Sequence, residues 1–303
     1  MAPIRIGVIG CGGIAQIQHL PSLAALQDLF ELVAVCDLSP GLAEHVARQF
    51  HVPEHTTDAH ALLASDRIDA VLLCPADPKA EIVVAAFEAG KHVLIEKPVC
   101  YSLQEADAIE SAAQAAGTVG MAAYMKVYDP AFELAQREVA GADRVLFAQI
   151  NHFHPDNSLH LSQFEVKRFN DIPPGAGQPQ HAAREAALRD ALGDVDEVTE
   201  RVFFVIANSM IHDLYGLRVM LGRPVAVVST EVWQEGRALT TVLEMAGLPL
   251  RPDLHLDGVS FVPLLKGEDK PLHDALFWHY PHYAAYGCGP FSAIRSGDWK
   301  LIE

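Results

Sequence analysis

Short apolar runs alternate with amphipathic segments over the first 124 residues of the chain. The apolar runs have the length and composition of buried strands, and they are residues 4–9, 31–36, 70–73, 92–95 and 119–124. Segments of helical periodicity separate them, at residues 14–29 with an interruption at Pro21, and at 42–50, 79–89 and 103–116. Because strict alternation of strand and helix is typical of a parallel sheet wrapped by helices, we predict an α/β, doubly wound domain over residues 1–124.

The pattern changes after residue 124. The elements predicted between residues 125 and 244 are a strand at 145–153, helices at 181–192 and 202–221, and a hairpin formed by 225–233 and 238–244. After Gly247, prolines and turn pairs precede three strand-like runs at residues 275–280, 291–295 and 299–302. We therefore predict an α+β second domain at 125–244 and a short β-rich segment at 245–303.

Composition and charge exclude several kinds of protein and several kinds of partner for this chain. The 303 residues suffice for two modest domains, and 39 acidic against 22 basic side chains give a net charge of −17. That balance argues against nucleic acid or an anionic membrane as a partner, since both attract clustered cations. The chain contains no apolar run long enough to cross a membrane, and it does not begin like a secretion signal. Five scattered cysteines without a C-x-x-C pair predict reduced thiols in a cytoplasmic protein.

A glycine-rich turn between the first strand and the first helix carries the first chemical signal. The sequence GCGGIA at residues 10–15 fits the dinucleotide motif G-x-G-x-x-[GA] in the context that the motif requires. The residues that we assign to the cofactor on this basis are Gly10, Gly12, Gly13, Ile14 and Ala15. Asp37 ends the second strand at roughly the spacing (~20 residues) of an acid that holds ribose hydroxyls. This acid repels a 2′-phosphate and Leu38 offers no arginine to receive one, so NAD is favoured over NADP.

With that turn in place, two further segments resemble the Gfo/Idh/MocA oxidoreductases. These are GKHVLIEKP at residues 90–98 and YMKVYDP at 124–130, and the resemblance runs from residue 4 to about 244. It implies NAD-linked hydride transfer at a secondary alcohol of a sugar or polyol, with Lys97 beside the nicotinamide and the substrate hydroxyl. A cation there would stabilise the developing alkoxide. The resemblance also adds Glu96 and Pro75 to the cofactor residues, although the histidine usual in the loop of Pro75 is missing.

The family's second catalytic feature is a histidine on a helix, and NSMIHDL at residues 208–214 occupies that position. The resemblance makes His212 the acid–base residue, which suits an imidazole whose pKa lies near working pH. Asn208, four residues earlier, replaces the usual aspartate and is expected to hydrogen-bond the substrate or the imidazole. Neighbouring residues on a helix point apart, so Asp213 is expected either to pack or to support the site residues from behind. Lys126, often basic in the family, is expected to touch substrate.

A histidine-rich stretch raises the question of a metal site. His152, His154, Asp156 and His160 lie close together in the sequence, but their spacing fits no standard ligand motif. The resemblance does not require a metal either. We therefore predict no metal site.

The last sixty residues resemble a different family. Residues 241–303 are similar to the C-terminal part of a sulfatase, through LEMAGLP at 243–249, LDGVSFVPLLKG at 256–267, ALFWHYPHY at 275–283 and SAIRSGDWKLIE at 292–303. Sulfatase chemistry needs C/S-x-P-x-R, and CGPFS at 288–292 has serine where arginine belongs. The join between the two resemblances falls in residues 241–247. We therefore predict a truncated substrate domain followed by a sulfatase-like β tail.

Three functions follow from these observations. The first is an NAD-dependent sugar or polyol oxidoreductase, carried by Lys97, His212 and Asn208. The second is a non-catalytic NAD-binding protein from a fused or truncated gene, because a sheet cut short near residue 244 exposes an edge and an apolar face. The third, a sulfatase-related protein, lacks its catalytic residues. The sequence does not decide whether the chain forms a homo-oligomer, since members of the family associate through the sheet that is cut short here.

Overall fold

The computed structural model describes residues 2–142, 145, 148–153 and 158–245, and the backbone of three strands between residues 276 and 302. The chain divides into two compact units, one of residues 1–145 with 149–246 and one of residues 146–148 with 247–303. Among the described residues, none of the helices combines the length and apolarity that a bilayer span requires.

The first unit contains eight strands and ten α-helices among its described residues. The strands are β1 (Ile4–Ile9), β2 (Phe30–Cys36), β3 (Glu54–Thr56), β4 (Ala70–Leu73), β5 (His92–Ile95), β6 (Gly120–Ala122), β7 (Pro224–Trp233) and β8 (Ala238–Met245). The helices are α1 (Leu20–Ala25), α2 (Pro40–Gln49), α3 (Ala59–Leu63), α4 (Ala80–Glu88), α5 (Leu103–Ala116), α6 (Pro130–Gly141), α7 (Ser158–Leu161), α8 (Gln178–Leu192), α9 (Glu197–Val205) and α10 (Ile211–Leu221). Two π-helical segments, Ala15–His19 and Ile206–Met210, lead into α1 and α10.

A six-stranded parallel sheet organises the first 124 residues. Its strand order is β3-β2-β1-β4-β5-β6. This is a doubly wound parallel sheet, as the sequence pattern predicted. The order reverses between β1 and β4, so that the chain leaves these neighbouring strands toward opposite faces of the sheet. The carboxyl ends of β1, β4 and β5 therefore form one edge with a crevice, which is where ligands bind in sheets of this kind.

Two apolar clusters cover the two faces of this sheet. Adjacent residues of β1 alternate between them, because successive side chains of a strand point to opposite faces. Val8 packs with Leu20, Val35 and Val46, whereas Ile9 belongs to the cluster of Phe87 and its neighbours. Burial on both faces explains why the strands appear as continuous apolar runs rather than as alternating ones.

Helix α5 begins and ends at residues that favour helix termini. Ser102 accepts a hydrogen bond from the Glu105 N–H, and the Glu105 carboxylate accepts one from the Ser102 N–H, which is a capping box. The helix ends at Gly117, whose φ of 64° is readily adopted by glycine.

Removing the Ser102 hydroxyl should therefore destabilise the chain. We expect Ser102→Ala to lower the free energy of unfolding by about 1 kcal/mol, because one amide at the helix start loses its acceptor. Urea unfolding followed by circular dichroism measures this change. Ser111→Ala is the matched control, since Ser111 is exposed in the middle of the same helix and its loss should change stability by no more than about 0.5 kcal/mol. Equal effects of the two substitutions would contradict the capping role.

Outside the sheet, the structure agrees with the sequence pattern only in part. The predicted hairpin is present, with β7 and β8 antiparallel. The predicted strand at 145–153 is wrong for its described residues, because 148–153 belong to no strand. The helix predicted at 202–221 starts earlier, at Glu197, because Asp196 accepts a hydrogen bond from Thr199 N–H and caps it there. The short elements β3, α3 and α7 and the helix α6 were not predicted.

The second unit is described only through three strands. Strands β9 (Leu276–Tyr280), β10 (Phe291–Ser296) and β11 (Trp299–Ile302) form an antiparallel sheet in the order β11-β10-β9. They lie close to the three strand-like runs of the sequence. Residues 246–275 and 281–290 are outside the described residues, as are the side chains of Cys288, His279 and His282. The sulfatase resemblance stays a prediction.

Candidate functional site

The glycine turn after β1 is held against the start of the loop that follows β4. Gly10 has a φ of +91°, and a Cβ placed on it would lie 2.5 Å from both Cys74 C and Pro75 N. Its N–H donates to Cys36 O at 2.8 Å, which fixes the turn to the end of β2 as well. Gly12, by contrast, is exposed, with nothing within 4 Å of the equivalent position. The backbone at Gly12 is therefore open to close approach by a ligand such as a pyrophosphate.

Asp37 connects this turn to the start of α2. One carboxylate oxygen accepts the Cys11 N–H at 2.8 Å, and the other accepts the Ser39 N–H at 2.9 Å. A carboxylate has about four acceptor positions, so two remain for hydroxyl groups of a ribose. The turn, Asp37 and the open face of Gly12 together fit a dinucleotide.

A segment from the second half of the chain crosses this turn, and we call residues 164–171 the crossing segment. The buried side chain of Gln16 donates to Lys167 O at 3.1 Å and accepts from Lys167 N at 2.9 Å. It also donates to Cys11 O at 2.8 Å. Val166 Cγ1 lies 4.0 Å from the position of a Cβ on Gly13. The crossing segment is therefore fixed next to the glycine turn.

Glu96, directly after β5, is tied to the glycine-rich side of the site. Its carboxylate lies 2.7 Å from His19 Nε2 and accepts the Lys97 N–H at 2.9 Å. Burial alone would raise the pKa of Glu96, but the interactions with His19 and Lys97 together outweigh burial and lower it. Glu96 thus orients the peptide that carries Lys97, and it links that peptide to the π-helical segment before α1.

The loop after β4 is anchored by a buried lysine. Lys79 is only 3% exposed, and its ammonium donates to the Asp77 carboxylate and, at 2.9 Å, to Pro98 O. Burial raises the pKa of Asp77 more than Lys79 lowers it. Since Pro98 follows Lys97, Lys79 joins the loop of Pro75 to the turn that presents Lys97.

Lys97 contacts the helical region that carries His212. Its ammonium donates to the backbone oxygen of Asn208 at 2.9 Å. Asn208 lies in the π-helical segment, and its side-chain amide donates to Phe204 O at 3.1 Å rather than reaching the imidazole. Tyr101 faces the Asn208 and Asp77 side chains, and burial together with the charge of Asp77 raises its pKa to about 12.

His212 lies among cations and beside a tyrosine. Its Nδ1 is 3.2 Å from Tyr215 Oη, which also accepts the Lys126 N–H at 3.2 Å. Burial lowers the pKa of His212 below its ordinary 6.5, and the charges of Lys126 and Lys97 lower it further. The imidazole is therefore neutral near pH 7. Among the described residues no hydrogen bond involves its Nε2, so this nitrogen can exchange a proton with a ligand.

Asp213 faces away from His212 and pairs with His152, whose Nδ1 is 2.5 Å from the Asp213 carboxylate. In the part of the chain that the structure describes, no three histidine, cysteine or acidic side chains cluster as metal ligands would. His154 and Asp156 lie outside that part, as does the side chain of His160.

Three thiols lie buried around the glycine turn. Burial is the main cause that raises the pKa of Cys11, Cys36 and Cys74, that of Cys36 to about 12. These cysteines are free thiols, and so is the half-buried Cys100. At neutral pH they are protonated, which makes them packing residues rather than nucleophiles.

The structure thus brings most of the predicted residues to one edge of the sheet. All of them follow the carboxyl ends of β1, β2, β4 and β5, either on a turn or in the first helical residues after β1. They are Gly10, Gly12, Gly13, Ile14, Ala15, Asp37, Pro75, Glu96 and Lys97. The sequence did not reveal His19, Lys79, Tyr101, Tyr215 or the crossing segment. Of these, Lys79 lies four residues after Pro75, and that closeness is the local signal that could have identified it.

Comparisons with known proteins agree with this geometry. Residues 4–124 match the model of the Gfo/Idh/MocA family, described as an oxidoreductase family with an NAD-binding Rossmann fold. The chain is 30% identical over 137 residues to scyllo-inositol 2-dehydrogenase (NAD⁺) of Bacillus subtilis, covering 45% of this chain and 40% of that protein. It is 34% identical over 152 residues to inositol 2-dehydrogenase of Paracoccus denitrificans, covering 48% and 45%.

The matched part therefore spans less than half the length of these curated relatives. Among solved structures, a probable dehydrogenase from Thermotoga maritima aligns over 76% of this chain and 58% of that one, with a TM-score of 0.53 and 20% identity. At that identity the likeness concerns the fold alone. Residues 4–124 thus match the NAD-binding Rossmann domain of the Gfo/Idh/MocA oxidoreductases.

Proposed function

We propose that this chain is an NAD-linked oxidoreductase that acts on a secondary alcohol of a sugar or polyol. The observation that carries the proposal is the convergence of Lys97, Lys126 and a neutral His212 at the carboxyl edge of the sheet. A cation next to a neutral base suits the removal of a proton from a hydroxyl group. The inositol dehydrogenases among the relatives support a polyol as substrate class.

The chain's own residues would divide the chemistry between them. NAD, held by the glycine turn and Asp37, supplies the hydride acceptor. Lys97 orients the substrate oxygen and stabilises the negative charge that develops on it. His212 Nε2 takes the hydroxyl proton, and Tyr215 fixes the imidazole by its contact with Nδ1. Asn208 contributes its backbone oxygen, which holds the ammonium of Lys97 in place.

A fluorescence titration with NADH tests the cofactor site directly. We expect Gly12→Val to weaken NADH binding about 10- to 100-fold, since about 1–3 kcal/mol of overpacking would oppose the pyrophosphate. The same variant should fold normally, because a Cβ at Gly12 meets nothing within 4 Å. Gly141→Val is the matched control, since a Cβ there is equally free of contacts and Gly141 ends α6.

Unchanged NADH binding by Gly12→Val would contradict the assignment of the turn to the cofactor. A screen of polyols with the wild-type chain and NAD, followed at the absorbance of NADH, then tests the reaction. NADH binding without turnover of any polyol would favour the alternative of a non-catalytic NAD-binding protein. One observation supports this alternative: two valines of β7 are exposed, Val225 at 59% and Val227 at 65%. They leave apolar surface of the second domain uncovered, as a substrate sheet cut short would.

A further inference from the structure

The crossing segment ends at a carboxylate that lies on the start of α2. Asp171 Oδ2 accepts the Gly41 N–H at 2.7 Å, and Asp171 Oδ1 accepts a hydrogen bond from the Ser39 hydroxyl. Phe169 packs beside it, with its ring centroid 5.8 Å from that of His45. A Cβ on Gly41 would lie 2.6 Å from the Asp171 carboxylate and 2.9 Å from Phe169, so the glycine makes room for the segment.

Two carboxylates from distant parts of the chain therefore meet at Ser39. Asp37 accepts the Ser39 N–H, and Asp171 accepts the Ser39 O–H. The hydrogen bonds from Ser39 and Gly41 lower the pKa of Asp171, so that it is ionised at neutral pH. In the part of the chain that the structure describes, no lysine or arginine forms an ion pair with Asp171.

The position of this pair matters for a dinucleotide. In a Rossmann domain the acid at the end of the second strand binds the ribose hydroxyls, and a 2′-phosphate, where present, lies beside it. The donors here that could receive such a phosphate are the Ser39 hydroxyl and the Gly41 N–H at the start of α2. Both already donate to Asp171, and the charge of Asp171 would oppose a second anion.

We propose that Asp171 is a specificity-determining residue, a second carboxylate that excludes the 2′-phosphate of NADP and so selects NAD. The inference rests on the proposed function, because it requires a dinucleotide at the glycine turn. Asp37 belongs to the Rossmann sheet itself, whereas Asp171 is brought to the start of α2 by the crossing segment. Asp171 lies 132 residues after Ser39 in the sequence. The basic residue nearest to Asp171 in the sequence is Arg168, on the same segment. Its charge would attract a phosphate, whereas that of Asp171 repels one.

Parallel titrations with NADH and NADPH test the proposal. We expect the wild type to bind NADH more tightly, and Asp171→Asn to bind NADPH at least about tenfold more tightly than the wild type does, a change of 1.4 kcal/mol. NADH affinity should change by less than about threefold, since the amide of asparagine keeps one oxygen acceptor for Gly41 or Ser39. Glu165→Gln removes the same charge from the same segment at an exposed position and is the matched control.

The outcomes separate the two proposals. An unchanged ratio of the two affinities in Asp171→Asn, with NADH binding intact, would overturn the role of Asp171 alone. An equal gain of NADPH affinity in Glu165→Gln would also overturn it, because the gain would then come from the loss of any negative charge on the segment rather than from Asp171. A wild type that binds neither nucleotide would overturn the proposed function. If Asp171→Asn does not fold, Asp171→Ser removes the same charge and takes its place in the two titrations, with the same gain of NADPH affinity expected.

Discussion

Replacing Lys97 with alanine should lower kcat for polyol oxidation about 10²- to 10³-fold, the range typical for loss of one group that stabilises a developing oxyanion. The ammonium of Lys97 is held by Asn208 O at 2.9 Å on one side, and Glu96 orients its peptide on the other. The cation is thus placed before substrate arrives. Because Lys97 acts on the alkoxide rather than on the adenosine half of the cofactor, the Kd for NADH should change by only a few-fold.

Initial rates at saturating polyol and NAD, together with an NADH titration, measure both parts of this expectation. Lys97→Arg keeps the charge but changes the shape of the donor, so it should recover part of the lost rate. A thermal melt controls for folding, since loss of one hydrogen bond to Asn208 O should cost only about 1 kcal/mol. Turnover within threefold of the wild type in Lys97→Ala would remove the cation from the mechanism.

Replacing His212 with glutamine should lower kcat about 10²- to 10⁴-fold, because the hydroxyl proton loses its acceptor. The wild-type pH profile follows from the direction of the pKa shift. Burial and the charges of Lys126 and Lys97 lower the pKa of His212 below 6.5. The neutral base therefore persists at neutral pH, and the rate of alcohol oxidation should fall only as the pH drops below that ordinary value, with a flat profile above it.

A second variant tests the cause of the shift. Lys126→Met removes a positive charge that opposes protonation of His212, so the acidic limb of kcat/KM should move to higher pH. His60→Gln, on the exposed surface of α3, is the control for histidine loss and should leave rate and profile unchanged. An acidic limb that stays in place in His212→Gln would assign the titration to another group.

The elements that the sequence predicted well are those whose signal is local. The glycine turn, the strand runs and the helix at residues 103–116 each depend on residues close to one another in the sequence, so one short window contains the whole pattern. The doubly wound class of the sheet was also predicted correctly, because alternating strands and helices leave few ways to build a parallel sheet.

What the sequence did not reveal depends on contacts between distant residues. Lys79 binds Pro98 O, 19 residues later, and Gln16 binds Lys167, 151 residues later. The polar stretch that contains the crossing segment carries no periodicity, so its place beside the glycine turn could not be inferred. Asn208 is a further case: its residue type suggested a side-chain role, whereas the described contact with Lys97 uses its backbone oxygen.

The π-helical segment Ile206–Met210 sets the number of residues between α9 and His212. Each helical residue turns the chain by about 100°, and a π segment holds one residue more per turn than its α-helical flanks need. That extra residue sets the rotation of His212 relative to α9, and with it the direction of the imidazole. Side chains within the segment can vary without changing this angle, but deletion of a single residue would turn His212 away from Lys97. Among related chains, length in this segment should therefore vary less than composition does.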